Sequence, residues 1–118
     1  MTYYELIHEE QSAGFTIRFY VAPEDTHPRD LFDPTVEDID QLCRDIDSGR
    51  FCWFIAKVTA SKNGIELAAD YLGGNLYDNV QDFISDTDYY ADMRDRVITE
   101  AKQAIQELTR EADHADLT

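Results

Sequence analysis

Apolar residues in the first part of the chain recur at every second position. Phe15, Ile17, Phe19 and Val21 alternate with Thr16, Arg18 and Tyr20, the pattern of a half-buried strand. Tyr3 to Glu10 reads as a partner strand, with Tyr4, Leu6 and His8 on one face and Tyr3, Glu5 and Ile7 on the other. Gln11 to Gly14 has turn character, so this first unit is a hairpin. Pro23 to Pro34 breaks the alternation with three prolines and few apolar residues. It predicts a loop long enough to suggest a role. Thr35 then stands as the N-cap of a helix, with Asp38 at the capping-box position. Val36, Ile39, Leu42, Cys43 and Ile46 form its apolar stripe, and Gly49 ends it.

Arg50 to Ser61 is apolar on both faces, as expected of a central strand. Lys62-Asn63-Gly64 carries the sharpest local signal, because Asn-Gly between two β-like runs makes a hairpin turn. Ile65 to Leu72 returns, and Gly73-Gly74 closes that strand with a bend where only Gly fits. One short helical turn is expected around Val80, Phe83 and Ile84. Asp86 or Thr87 then caps a long helix reaching about Ala112. Its stripe is Tyr90, Met93, Val97, Ala101, Ala104 and Leu108, flanked by Ile98 and Ile105, and Asp113 to Thr118 are expected to fray. The order ββαββαα predicts one α+β domain over residues 1–118. Its four-stranded antiparallel sheet should carry helices mainly on one face.

Charge changes the picture. The 118 residues hold 25 Asp+Glu against 10 Lys+Arg, a net charge of −15. Small domains usually stay within roughly 2 to 8 charges of neutrality. The acidity does not imply disorder, because 43% of the residues are hydrophobic and 12% aromatic. It does argue against direct binding of nucleic acid or anionic lipid, which need a basic footprint. It favours a basic partner, a cation or a saline solvent. The first residues lack the basic and apolar regions of a signal peptide, and no apolar run has the length of a membrane span. Cys43 and Cys52, the two cysteines, read as buried thiols in a reducing cytoplasm.

The acids cluster. Nine lie between Glu24 and Asp47, opposed by Arg29 and Arg44, and six between Asp78 and Asp95, with Arg94 among them. Asp78, Asp82 and Asp86 step by four, and Asp88, Asp92 and Asp95 by four and three. On helices such steps line up carboxylates on one face, at a cost of a few tenths of a kcal/mol per like-charge pair. Rows of carboxylates can imitate a phosphate backbone, although a helix offers one charge about every 5.4 Å where duplex DNA has one about every 1.7 Å. Two rows, or a homodimer, would approach that density. Tyr77 and Tyr89 interleave with these acids and suit an interface.

Other chemistry finds little support in the pattern. Asp86-Thr87-Asp88 opens like a calcium loop, but Tyr90 and Ala91 occupy the places of the third ligand and the Gly. His8, His27 and His114 keep no metal spacing, and neither cysteine has a telling His, so no metal, cofactor or thiol nucleophile is expected. His8 should be satisfied locally and His27 should lie on the surface. Gly73-Gly74 has no Lys after it and acids around it, against a phosphate site.

In size, acidity and mixed pattern the chain resembles the small acidic proteins of phages and plasmids. The stretches Asp70-Tyr71-Leu72-Gly73-Gly74-Asn75-Leu76-Tyr77 and Tyr89-Tyr90-Ala91-Asp92-Met93 share that look. Among such proteins are DNA-mimic anti-restriction and anti-CRISPR proteins. The resemblance implies a non-enzymatic inhibitor in the bacterial cytoplasm, monomeric or homodimeric. It would occupy the basic nucleic-acid groove of a CRISPR effector or restriction enzyme. The expected partner-binding residues are Asp78, Asp82, Asp86, Asp88, Asp92 and Asp95, then Glu37, Asp38, Asp45 and Asp47, with Tyr77 and Tyr89. Two other readings stay open: an immunity protein or antitoxin covering a basic nuclease toxin, and a halophilic protein with a merely solvated acidic surface.

Overall fold

The computed structural model describes residues 3–28, 39–85 and 88–116, the last six by backbone alone. Its elements are β1 (Glu5–Ser12), β2 (Phe15–Pro23), α1 (Ile39–Asp47), β3 (Cys52–Lys62), β4 (Ile65–Tyr77), α2 (Asp82–Ser85) and α3 (Tyr89–Asp116). The strands form one antiparallel sheet in the order β1-β2-β3-β4. This is the α+β architecture that the pattern predicts.

The alternation of β2 holds throughout, with Phe15, Ile17, Phe19 and Val21 buried on one face. β3 adds Phe54, Ala56, Val58 and Ala60 to the same face. The long helix α3 covers it with Tyr90, Met93, Val97, Ile98 and Ala101. Phe83 of α2 is fully buried and stacks on Phe19 at 5.3 Å. Burying a large apolar side chain of this kind stabilises a fold by about 1.5–3 kcal/mol. Leu108 departs from the expected stripe. It is 59% exposed, because α3 is about 42 Å long and its last turns outrun the sheet.

Side-chain ties fix the helix across the sheet. Towards β1, Glu10 accepts hydrogen bonds from Tyr90 Oη at 2.9 Å and Arg94 Nη1 at 3.4 Å, and His8 Nε2 lies 3.0 Å from it. Burial pushes the Glu10 carboxyl up, but the His8 and Tyr90 hydrogen bonds and the Arg94 charge outweigh it and hold it below its usual value. Towards β4, Arg96 donates to Asp70 at 2.7 Å.

Several boundaries differ from the expectation. The register of β1 against β2 shifts between Leu6 and His8, a bulge. Leu6 pairs with Tyr20 on the open face and is 49% exposed, whereas His8 pairs with Phe19 on the core face. The two therefore do not share a face, and Ile7 packs against the core. β4 does not stop at Leu72. Gly73 and Gly74 form a second bulge opposite Ile55, and pairing resumes from Asn75 against Phe54 to Tyr77 against Cys52. Helix α1 is described from Ile39, so the proposed cap at Thr35 with Asp38, and Val36, lie outside the described residues. At its end Gly49 takes the left-handed conformation expected of a helix stop, with φ of 83°. No residue of α1 is buried. Cys43 and Cys52 are free and half-buried, not buried, one on this helix and the other at the start of β3. Among the described residues no helix is long and apolar enough to cross a membrane.

Candidate functional site: an acidic-rimmed groove beside the last strand

The expected row Asp78, Asp82 and Asp86 is not one helix face. Asp78 lies in the bend after β4, Asp82 opens the four-residue α2, and Asp86 lies outside the described residues. The break follows from β4, whose ladder carries the chain in extended form as far as Tyr77. The second row survives in altered form. Asp86 and Thr87, the expected caps, are outside the described residues, and Asp88 performs that role. Its carbonyl accepts the first helical hydrogen bond, from Asp92 N–H at 2.9 Å. Asp92 falls in the first turn of α3 and Asp95 in the next, and all three are exposed. Carboxylates at a helix N-terminus gain from the helix dipole, which offsets their mutual repulsion.

Aromatic packing brings the two ends of this segment together. Tyr77 and Tyr89 both pack on Phe83, with ring centroids 5.7 Å and 6.3 Å away. Tyr77 is half-buried and also meets Phe54 at 5.9 Å, so it is largely a wall of the core. Tyr89 is 55% exposed. Between them runs an open groove of 340 Å³, lined by β4 from Leu72 to Tyr77 and by Tyr89. Asp78 and Asp88, next in the chain to these tyrosines, are both exposed. The nearest cations of α3 are turned elsewhere, Arg94 to Glu10 and Asp95, and Arg96 to Asp70.

The groove floor depends on residues the sequence reading did not place in a site. Glu24 reaches over the open face to the β4 bulge, where its Oε2 accepts the Gly74 N–H at 2.7 Å, and its Oε1 accepts the Thr26 N–H at 3.1 Å. Burial raises the Glu24 carboxyl, yet these backbone hydrogen bonds prevail and hold it below its ordinary value. Asn75 is buried and donates through Nδ2 to Leu72 O at 2.6 Å and Phe54 O at 3.1 Å. The Gly-Gly-Asn run was the visible sign of this bulge. Its partner Glu24, 50 residues away, carried no signal of its own.

The other proposed patch is not assembled in the same way. Glu37 and Asp38 lie outside the described residues. Asp45 is occupied within its own helix end. Its Oδ1 accepts Gln41 Nε2 at 2.9 Å, and its carbonyl accepts the Arg50 and Phe51 N–H groups. Asp47 is exposed at the end of α1 and lines a separate 230 Å³ groove with Glu24, Asp25, His27, Cys43 and Trp53. No group of three or more His, Cys, Asp or Glu among the described residues is placed to hold a metal ion. No protein family model, no curated protein and no solved structure matches this chain.

Proposed function

We propose that this chain is a non-enzymatic acidic inhibitor that imitates nucleic acid and occupies the basic groove of a host defence complex, a CRISPR effector or a restriction enzyme. The observation that carries the reading is the arrangement at the head of α3. Asp78, Asp88 and Asp92 are exposed, the first two next in the chain to the groove residues Tyr77 and Tyr89, while Arg94 and Arg96 are held by carboxylates of β1 and β4. With a net charge of −15, such an end steers towards Lys and Arg groups and away from nucleic acid itself. The rigid sheet and helix beneath it suit fixed charges.

The test is binding to immobilised CRISPR effectors and restriction endonucleases, with a triple variant Asp78→Lys, Asp88→Asn, Asp92→Gln as the comparison. Asn keeps the helix cap that Asp88 supplies. The dissociation constant should rise at least about tenfold, mostly through slower association. Unchanged affinity in a folded triple variant would overturn the placement of the interface. A purified basic nuclease toxin bound in place of these targets would favour the immunity reading.

A further inference from the structure

We infer that the free edge of β4 accepts an extended, Lys/Arg-rich segment of the partner as a fifth strand, with one large side chain seated in the groove beside Tyr89. The inference rests on the partner being basic, as proposed above, and adds the form in which it is held. β4 is the longest strand, 13 residues, and lies last in the sheet order. Its outer edge has no strand partner among the described residues. Helix α3 packs on the core face of β3 and β4, where Arg96 reaches Asp70, the residue opposite Val58 of the buried face. Ile65, Glu66, Tyr71 and Gly73 are all exposed along β4.

Proteins usually guard such an edge with inward-pointing charge or a bulge. The inward charge of β4 is Asp70, and Arg96 neutralises it at 2.7 Å. β4 has two irregularities of register against β3, one between Glu66 and Ala68 near its start and the bulge at Gly73 and Gly74. Glu24 pins it, and the strand resumes pairing to Tyr77. The edge therefore continues directly into the groove wall formed by Leu72 to Tyr77. Strand addition gains affinity from main-chain hydrogen bonds and specificity from pockets for alternate side chains. An added strand that runs past Tyr77 brings its polar side chains to Asp78 and Asp88. Charge selects the occupant, since a second copy would bring another −15. The β1 edge is shorter, 8 residues, and the 370 Å³ groove at its first residue, Glu5, is walled mainly by β2 and β3.

Two labelled probe peptides of equal positive charge test this: one alternates Lys with Val and Tyr, the other carries Pro in place of Val. Only the first can add as a strand. At low salt it should bind at least about tenfold more tightly by anisotropy, and it should slow amide hydrogen exchange within Ile65–Tyr77. Tyr89→Ala, a change at an exposed position, should remove most of that difference and leave the Pro peptide unaffected. Equal affinities, or protection of Glu5–Ser12 in place of β4, would overturn strand addition and leave the basic-partner reading standing. If neither peptide binds, the basic-partner reading fails, and this inference with it.

Discussion

Glu24 shows how one carboxylate can leave the role its neighbours suggest. In the sequence it is the first of nine acids in a run and looks like part of a charged surface. In the fold it bonds the Gly74 and Thr26 N–H groups, and its own N–H donates to Trp53 O at 3.2 Å. It thereby joins the end of β2 to the bulge of β4. A Cβ at Gly73 would stand 2.8 Å from the flexible end of Glu24, and Gly74 takes the left-handed conformation that favours glycine, with φ of 70°. A methyl at Gly73 would push the flexible carboxylate aside and break its bond to Gly74. Gly73→Ala and Glu24→Ala should therefore each cost about 1–3 kcal/mol in urea denaturation, through the same lost hydrogen bond. The double variant should cost little more than either alone. Fully additive losses would show that the two residues act separately. Sequence reading could find the two glycines, because glycine pairs after a strand announce a bend. It could not find the carboxylate that fixes them.

At the level of elements, hairpins and the long helix were legible where a short-range rule governs them. Asn63-Gly64 adopts φ values of 53° and 79°, the two left-handed residues that a tight hairpin turn needs. The first hairpin solves the same problem with Ala13-Gly14, at 54° and 87°. A left-handed Ala costs about 1 kcal/mol relative to its normal conformation, and Asn tolerates it better. Ala13→Asn should accordingly raise stability by about 0.5–1 kcal/mol without moving the register of β1 and β2. A thermal or urea unfolding series measures it, and a loss of stability would show that Ala13 is held there by something other than the turn. The bulges of β1 and β4 escaped the reading because alternation assumes that every residue pairs. One unpaired residue sends Leu6 and His8 to opposite faces. The stripe of α3 is buried up to Ala101 and half-buried at Ala104 and Ile105, and it reaches solvent at Leu108, where the supporting sheet ends.

Over the whole molecule, the architecture followed from pattern, and the site only in part. The rule that spaces acids along a helix held for Asp88, Asp92 and Asp95. It failed for Asp78 and Asp82, which belong to a bend and a separate short helix. What places Tyr77 and Tyr89 on one groove is their common packing on Phe83, a tertiary fact with no periodic trace. Charge is likewise organised by the fold. Arg94 and Arg96 turn to Glu10 and Asp70 on either side of α3, so they anchor the helix and leave the acids at its head to solvent. An excess of this size repels itself and weakens the compact state, and the proposed partner is what would offset it. The most direct measurement is displacement: labelled duplex DNA bound to a CRISPR effector or a restriction endonuclease, titrated with this protein at low salt. The DNA should be released in competition with the protein, release should weaken steeply as salt rises, and the Asp78/Asp88/Asp92 variant should be ineffective. DNA that stays bound to every such complex at saturating protein would contradict the inhibitor reading.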